Sequence, residues 1–314
     1  MTGNGRIRIA LVACAVALAL VPLSGDRFAV QFTAAAMISC IFAMSLDLLV
    51  GYAGIVSLGH AAFYGLGAYL LAGLTNGAGL VNPLATFPLA LVGTGLAALV
   101  IGFLTVRTSG VYLVMVTLAF TQMLYYLFGE SAALGGSDGV YVSQRPRLAI
   151  LGRTVLDLGD GLTAYFVIWA ALVAIYLLLA RAVRAPFGRV LGGIRINEGR
   201  MRTLGYRTRR YKIAAFVAAG CLAGFAGVLD ATLYGFVNPA LFGWQKAGFV
   251  LVTVLLGGKG TLYGPALGAI LLIVVEHFAE RWTVYWNALV GALAIATVLA
   301  LPGGLATLLR GSRA

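Results

Sequence analysis

The 314-residue chain is 61% apolar and only 10% charged, whereas soluble domains carry about 45–50% and about 25%. No water-soluble core of this length hides so much apolar surface, so a soluble domain is excluded and a polytopic membrane protein is implied. The net charge of +12 falls in clusters beside apolar runs, which argues against a nucleic-acid partner and fits loops on the inner side of a membrane.

Taken in chain order, Arg6 and Arg8 precede an apolar run from Ile9 to Val21. Pro22-Leu23-Ser24-Gly25 is a poor cleavage site and a second apolar run follows, so a retained first span is expected rather than a cleaved signal. A span needs about 20 apolar residues. By that measure candidate spans read as 7–23, 28–49, 54–74, 84–106, 110–129, 162–181, 213–233, 244–257, 265–280 and 284–301. The eighth and ninth are short, and a broken hairpin around Gly257-Gly258-Lys259-Gly260 leaves a count of eight open. An even count puts both termini on one side with Arg107 and the Arg181–Lys212 loop, which holds ten basic residues and one acid; the segment 130–160 then lies outside. The fold class is therefore all-α, a transmembrane helical bundle of about 8–10 spans. No low-complexity segment or soluble domain interrupts 1–314, which reads as one transmembrane domain in contact with membrane lipid. Cys14, Cys40 and Cys221 lie in apolar runs and build neither a disulfide framework nor a metal site. Small-xxx-small pairs at Gly73/Gly77, Gly220/Gly224 and Gly264/Gly268 predict close helix contacts.

Several segments stand out chemically. Gly51, Gly54, Ser57, Gly59 and His60 belong to a run, Gly51-Tyr52-Ala53-Gly54-Ile55-Val56-Ser57-Leu58-Gly59-His60, that interrupts an apolar stretch. Irregular backbone at membrane depth survives only inside protein or beside a wet cavity, so this run is a broken helix, either bordering a translocation pathway or making a tight helix contact. Gln122, Glu276 and His277 are polar groups in or at the ends of spans and are further pathway candidates, although Glu276 and His277, close to Glu280 and Arg281, read equally as an interface cluster. Asp47 lies near a span end, where it can reach the interface. Gly257-Gly258-Lys259-Gly260-Thr261 imitates a phosphate loop, but Gly260 follows Lys259 and Thr253 holds the place of the first motif glycine, so it is a turn between spans. No nucleophile-base set and no metal spacing is found, so catalytic and metal residues are none, the chain binds no cofactor, and an enzyme is not expected. From Pro186 to Lys212 the loop is hydrophilic and basic, and Val190, Ile194, Met201 and Leu204 share one face at helical spacing while Arg195 and Arg202 project elsewhere. Such a helix docks either on a cytoplasmic partner or on anionic lipid.

With these motifs in place, the chain resembles the branched-chain amino-acid ABC transporter permeases of the LivM type. Gly51-Tyr52-Ala53-Gly54 through Ser57-Leu58-Gly59-His60-Ala61-Ala62-Phe63 carries the likeness, with Gly65-Leu66-Gly67-Ala68-Tyr69 and Gly136-Ser137-Asp138-Gly139. Asn197-Glu198 through Leu204-Gly205, Leu256-Gly257-Gly258-Lys259-Gly260-Thr261-Leu262 and Gly264-Pro265 complete it, in order, over residues 46 to 269. The resemblance implies an inner-membrane importer subunit of a bacterium with cytoplasmic termini, translocating branched-chain or related amino acids. It implies pairing with a homologous permease, two cytoplasmic ATPase subunits that use the ATP, and an extracytoplasmic solute-binding protein. It further implies that the loop within 182–212 is the ATPase-coupling segment, with Ile194, Asn197, Glu198, Met201, Leu204 and Gly205 as its contact residues. Arg200 and Met201 depart from the small residues usual after the glutamate, and Gln245-Lys246 from the polar or acidic residue usual before the Leu256 motif. The rival reading is an ATP-independent secondary transporter or channel for a small polar solute such as urea. That class favours an inverted repeat, of which Gly51-Tyr52-Ala53-Gly54 against Gly257-Gly258-Lys259-Gly260 is only a faint echo.

Overall fold

The computed structural model describes residues 3–150, 153–282, 285–300 and 303–307; Arg310 and Arg313, which bear on the side of the C-terminus, lie outside them. The helices among these residues are α1 (Gly3–Leu20), α2 (Arg27–Asp47), α3 (His60–Asn76), α4 (Pro83–Thr105), α5 (Val111–Glu130) and α6 (Gly161–Arg184). The short α7 (Pro186–Ile196) and α8 (Glu198–Thr203) follow, then α9 (Thr208–Tyr234), α10 (Trp244–Gly257), α11 (Tyr263–Trp282) and α12 (Trp286–Ala300). Two small antiparallel pairs join them: β1 (Val140–Tyr141) with β4 (Phe236–Val237), and β2 (Arg147–Ile150) with β3 (Arg153–Asp157).

Six segments among the described residues are long and apolar enough to cross a membrane: Arg27–Ala53, Pro83–Thr105, Val111–Glu130, Gly161–Arg184, Thr208–Tyr234 and Tyr263–Trp282. The remaining apolar helices are shorter, and the 14 residues of α10 reach about 21 Å at 1.5 Å per residue, less than a hydrocarbon core of about 30 Å.

Direction can be followed from contact to contact. One end gathers the end of α2, the loop after α4, α7 and α8, and the α10–α11 turn: Asp47 binds Gly260, Arg195 binds Gly51, and the Arg107 and Arg209 guanidinium groups both lie over the Phe103 ring. The opposite end gathers the α3–α4 loop, the β strands and the start of α6, through Asn76 with Tyr141, Arg147 with Val81, and the β1–β4 pairing. Ten helices, all but α7 and α8, thus alternate between the two ends. Leu305 returns to the first end, its N–H bonded to Leu256. Near the other end, the Tyr165 hydroxyl and Trp169 indole of α6 bind the Leu18 and Ala15 carbonyls of α1.

At the centre α2 is nearly enclosed, with buried residues running from Ala34 to Asp47. Beside it α3 and α9 meet backbone to backbone. A Cβ on Gly67 would strike the Gly224 carbonyl, and one on Gly227 the Tyr64 carbonyl. With no hydrophobic effect between helices in lipid, such close approach supplies the van der Waals energy. Gly220 and Gly224 also accept Ala98 and Thr94 of α4, and Gly264 and Gly268 press against the end of α10, as the small-residue spacing predicts. The third pair differs. Gly73 faces open space and Gly77 lies past the end of α3, so no helix packs there.

Candidate functional site

The predicted break after α2 is present and has a definite shape. The helix widens into a π turn over Leu48–Ala53, Gly54 turns left-handed at φ +70°, and an irregular segment runs to Gly59 before α3 begins at His60. The third apolar run thus starts its helix at residue 60 rather than 54, because this segment satisfies its backbone elsewhere. Ile55 N–H binds Leu49 O at 2.9 Å. Leu58 N–H donates to Thr117 Oγ1 at 3.2 Å, and Thr121 Oγ1 donates to Leu58 O at 3.1 Å, so α5 serves as its polar edge. Ser57 is fully buried and its hydroxyl accepts from Gly59 N–H. Gly51 is buried where a Cβ would collide with the Asp47 carboxylate and the Gly260 nitrogen, and a Cβ on Gly54 would meet Arg195.

Asp47 does not reach an interface. It is fully buried and accepts hydrogen bonds from Gly260 N–H (2.7 Å) and Leu262 N–H (3.2 Å) in the α10–α11 turn. That turn is a demanding one: Gly258 and Gly260 have positive φ, and Leu262 at φ +58° is the only non-glycine residue among the described ones to do so. A left-handed leucine costs about 1–2 kcal/mol, and the Asp47 carboxylate holds the turn in that geometry. The turn links α10 and α11, as expected of a phosphate-loop imitation without the fold of one.

The basic loop reaches the same place. The pattern from Val190 to Leu204 suggests one continuous helix, but Asn197 divides it. Its side chain accepts from Arg200 N–H at 3.0 Å and starts α8 as an N-cap. Val190 and Ile194 are buried beneath α7, whereas Met201 packs on Gly193 and Leu204 is 65% exposed. Arg195 points inward and donates to Gly51 O, since the wide turn leaves that carbonyl accessible. Glu198 clamps α8 to the start of α9 through Arg202 (2.7 Å), Lys212 and the Thr208 hydroxyl (2.9 Å). Burial works against this carboxylate, yet the bonds from Lys212, Arg202 and Thr208 outweigh it and hold its pKa at about 2. The clamp is therefore intact above the ordinary glutamate value and is lost only as pH falls toward 2. Gly205, at φ +86°, ends α8: its N–H binds Arg202 O and Tyr206 N–H binds Met201 O, a Schellman closure.

The structure thus brings Gly51, Gly54, Ile194, Asn197 and Glu198 to one end of the bundle, together with Asp47, Arg195, Thr117 and Thr121, which the sequence did not single out for that place. Ile196, 86% exposed at the end of α7, is a further exposed apolar residue of this loop; a bare isoleucine within a basic run was its signal. His60 is elsewhere in character. It is wholly buried between Phe42 and Phe63. Gln122 lies on α5, partly exposed, with its Nε2 buried and unpartnered. The arrangement is a continuous set of contacts, from α7 through Arg195 to the Gly51 break and from Asp47 beside that break to the α10–α11 turn.

A family model described as the permease component of the branched-chain amino acid transport system matches residues 28–298. The chain belongs to that family. It is similar to the high-affinity branched-chain amino acid transport system permease protein LivM of Escherichia coli K12, 32% identical over 96% of this chain and 76% of the relative. The probable LivM of Methanocaldococcus jannaschii is 26% identical, over 75% of this chain and 76% of its own length. A shorter likeness, 28% over 44% of this chain and 42% of the relative, is to the autoinducer 2 import system permease protein LsrC of Escherichia coli O9:H4. No solved structure matches the chain. This permease is accordingly a transport protein of the membrane, and the segment of coupled contacts lies within the matched region.

Proposed function

We propose that this permease is the membrane-spanning subunit of an ATP-binding-cassette importer that carries branched-chain or related amino acids by alternating access. Its partners are a homologous second permease, two cytoplasmic ATPase subunits and an extracytoplasmic solute-binding protein. The observation that carries the reading is a chain of contacts from α7–α8, whose surface is exposed and partly apolar: Arg195 joins α7 to the Gly51 break, and Asp47 at the end of α2 joins that break to the α10–α11 turn. ATPase closure pressing on Ile196, Leu204 and the Glu198-clamped α8 is transmitted to the helices that end at those turns. The ATP stays with the partner subunits. Uptake of labelled leucine, isoleucine and valine into proteoliposomes holding the complete complex tests this. It is expected to require ATP and the binding protein; equal uptake without the ATPases would indicate a secondary transporter or channel.

The cluster of basic residues between Arg181 and Lys212 supports a topology with α7–α8 and both termini on the cytoplasmic side of a bacterial inner membrane. An impermeant maleimide added to intact cells is expected to modify Gln144→Cys, at the opposite end of the bundle, and to leave Arg200→Cys unmodified. The reverse pattern would invert the topology.

A further inference from the structure

A second polar region lies at the end of the bundle away from α7 and α8. There α2, α9, α10 and α11, with the segment after α9, line an open cavity of about 640 Å³, within the range of small-molecule sites, about 300–1,000 Å³. Its wall carries Gln31, Asp230, Lys246 and Glu276, with Glu280 and His277 farther along α11, while Phe249 and Ile273 supply apolar surface. Lys246 lies within electrostatic reach of both Asp230 and Glu276. Yet no ion pair forms: among the described residues the only salt bridges are those of Glu198, and Lys246 Nζ rests instead over the Tyr64 ring, 4.9 Å from its centre. Charges inside a membrane bundle are costly and are ordinarily paired. Asp230 already accepts a hydrogen bond from the Tyr64 hydroxyl, and its remaining lone pairs, with Glu276 and Lys246, leave room for a ligand that meets both signs of charge.

We propose that this cavity is a recognition site for a zwitterionic α-amino acid, with Lys246 receiving the carboxylate, Asp230 and Glu276 the ammonium, and Phe249 and Ile273 the side chain. The proposal rests on the amino-acid import reading and adds a selective site in the permease itself. An α-amino acid carries its two charged groups on one carbon, so its carboxylate can meet Lys246 while its ammonium meets the acids. A simple cation would be repelled by Lys246, and a simple anion by the two acids. A phosphatidylethanolamine headgroup bears the same two charges, so lipid is the competing source.

The test uses the intact complex in phosphatidylcholine nanodiscs, with the native cysteines replaced and a reporter cysteine at Ser39, which lines the cavity. L-Leucine is expected to slow alkylation of that cysteine, while 4-methylpentanoate and 3-methylbutylamine, each lacking one charge, protect about tenfold less well, the cost of one lost charge-assisted hydrogen bond. Lys246→Met is expected to abolish protection with an unchanged alkylation rate in the absence of leucine, and Lys246→Arg to restore it. No protection by leucine in wild type, or equal protection by the amine, overturns the proposal. So does alkylation slowed by adding phosphatidylethanolamine and not by leucine. Leucine uptake by the wild-type complex, measured in parallel, separates the two ideas: absence of uptake counts against the import reading, whereas uptake without protection counts against this cavity alone.

Discussion

Asp47→Ala is expected to abolish uptake and to lower the melting temperature of the solubilised complex. The carboxylate is fully buried and is the acceptor for two backbone N–H groups, Gly260 and Leu262. Each donor left without a partner costs about 1–3 kcal/mol, and the left-handed Leu262 loses what holds it. Asparagine is nearly isosteric but offers one oxygen in place of two, so one N–H would face an NH₂ group; Asp47→Asn should fall between alanine and wild type. The check is uptake beside thermal unfolding of the same preparations. Wild-type values for Asp47→Ala in both would mean that the turn holds its shape without this contact.

Gly205→Val is expected to reduce uptake by about tenfold or more while leaving insertion and permease pairing intact. Gly205 has φ +86°, and valine there costs about 1–2 kcal/mol in backbone strain alone, roughly one decade in an equilibrium. A Cβ at this position meets nothing within 4 Å, so the loss is not a packing effect. It falls on a six-residue helix with little reserve, whose end directs Tyr206 and Arg207 back toward α9. Arg202→Gln, by contrast, removes the i,i+4 pair with Glu198, worth about 0.3–0.5 kcal/mol, and a long bond to Thr208, while Lys212 and Thr208 still hold Glu198, so it should be mild. ATPase activity and uptake of reconstituted complexes, measured side by side, distinguish them; normal coupled uptake by Gly205→Val with Arg202→Gln inactive would favour a lipid-surface role for the loop.

Much of this molecule is legible in its sequence because lipid imposes simple rules. Apolar run length marked the helices, and the glycines of Gly51–Gly59 marked the break, since only small residues permit such backbone at that depth. The basic run around Arg195 marked the end at which the short helices sit. What stayed hidden was long-range or local in ways that periodicity does not record. Asp47 and Gly260 are 213 positions apart, and nothing near either residue names the other. Arg195 has the composition of a solvated arginine; it turns inward because the π turn frees the Gly51 carbonyl. The apolar spacing from Val190 to Leu204 runs on through Asn197, and the capping side chain there divides one apparent helix into two. Gly73 and Gly77 have the spacing of a helix contact but no helix opposite them. His60 lies between the aromatic rings of Phe42 and Phe63, the first of them 18 positions away and unmarked in the sequence.

The central claim, that α7–α8 receives the motion of an ATPase, is tested most directly by cross-linking from Leu204, the exposed apolar residue at the end of α8. A Leu204→Cys permease purified with its complex and treated with a short bifunctional thiol reagent is expected to join to the ATPase subunit, with a yield that changes when ATP is bound. A Leu204→Cys that never joins to a copurifying ATPase, in a complex that still couples ATP hydrolysis to uptake, would contradict the account.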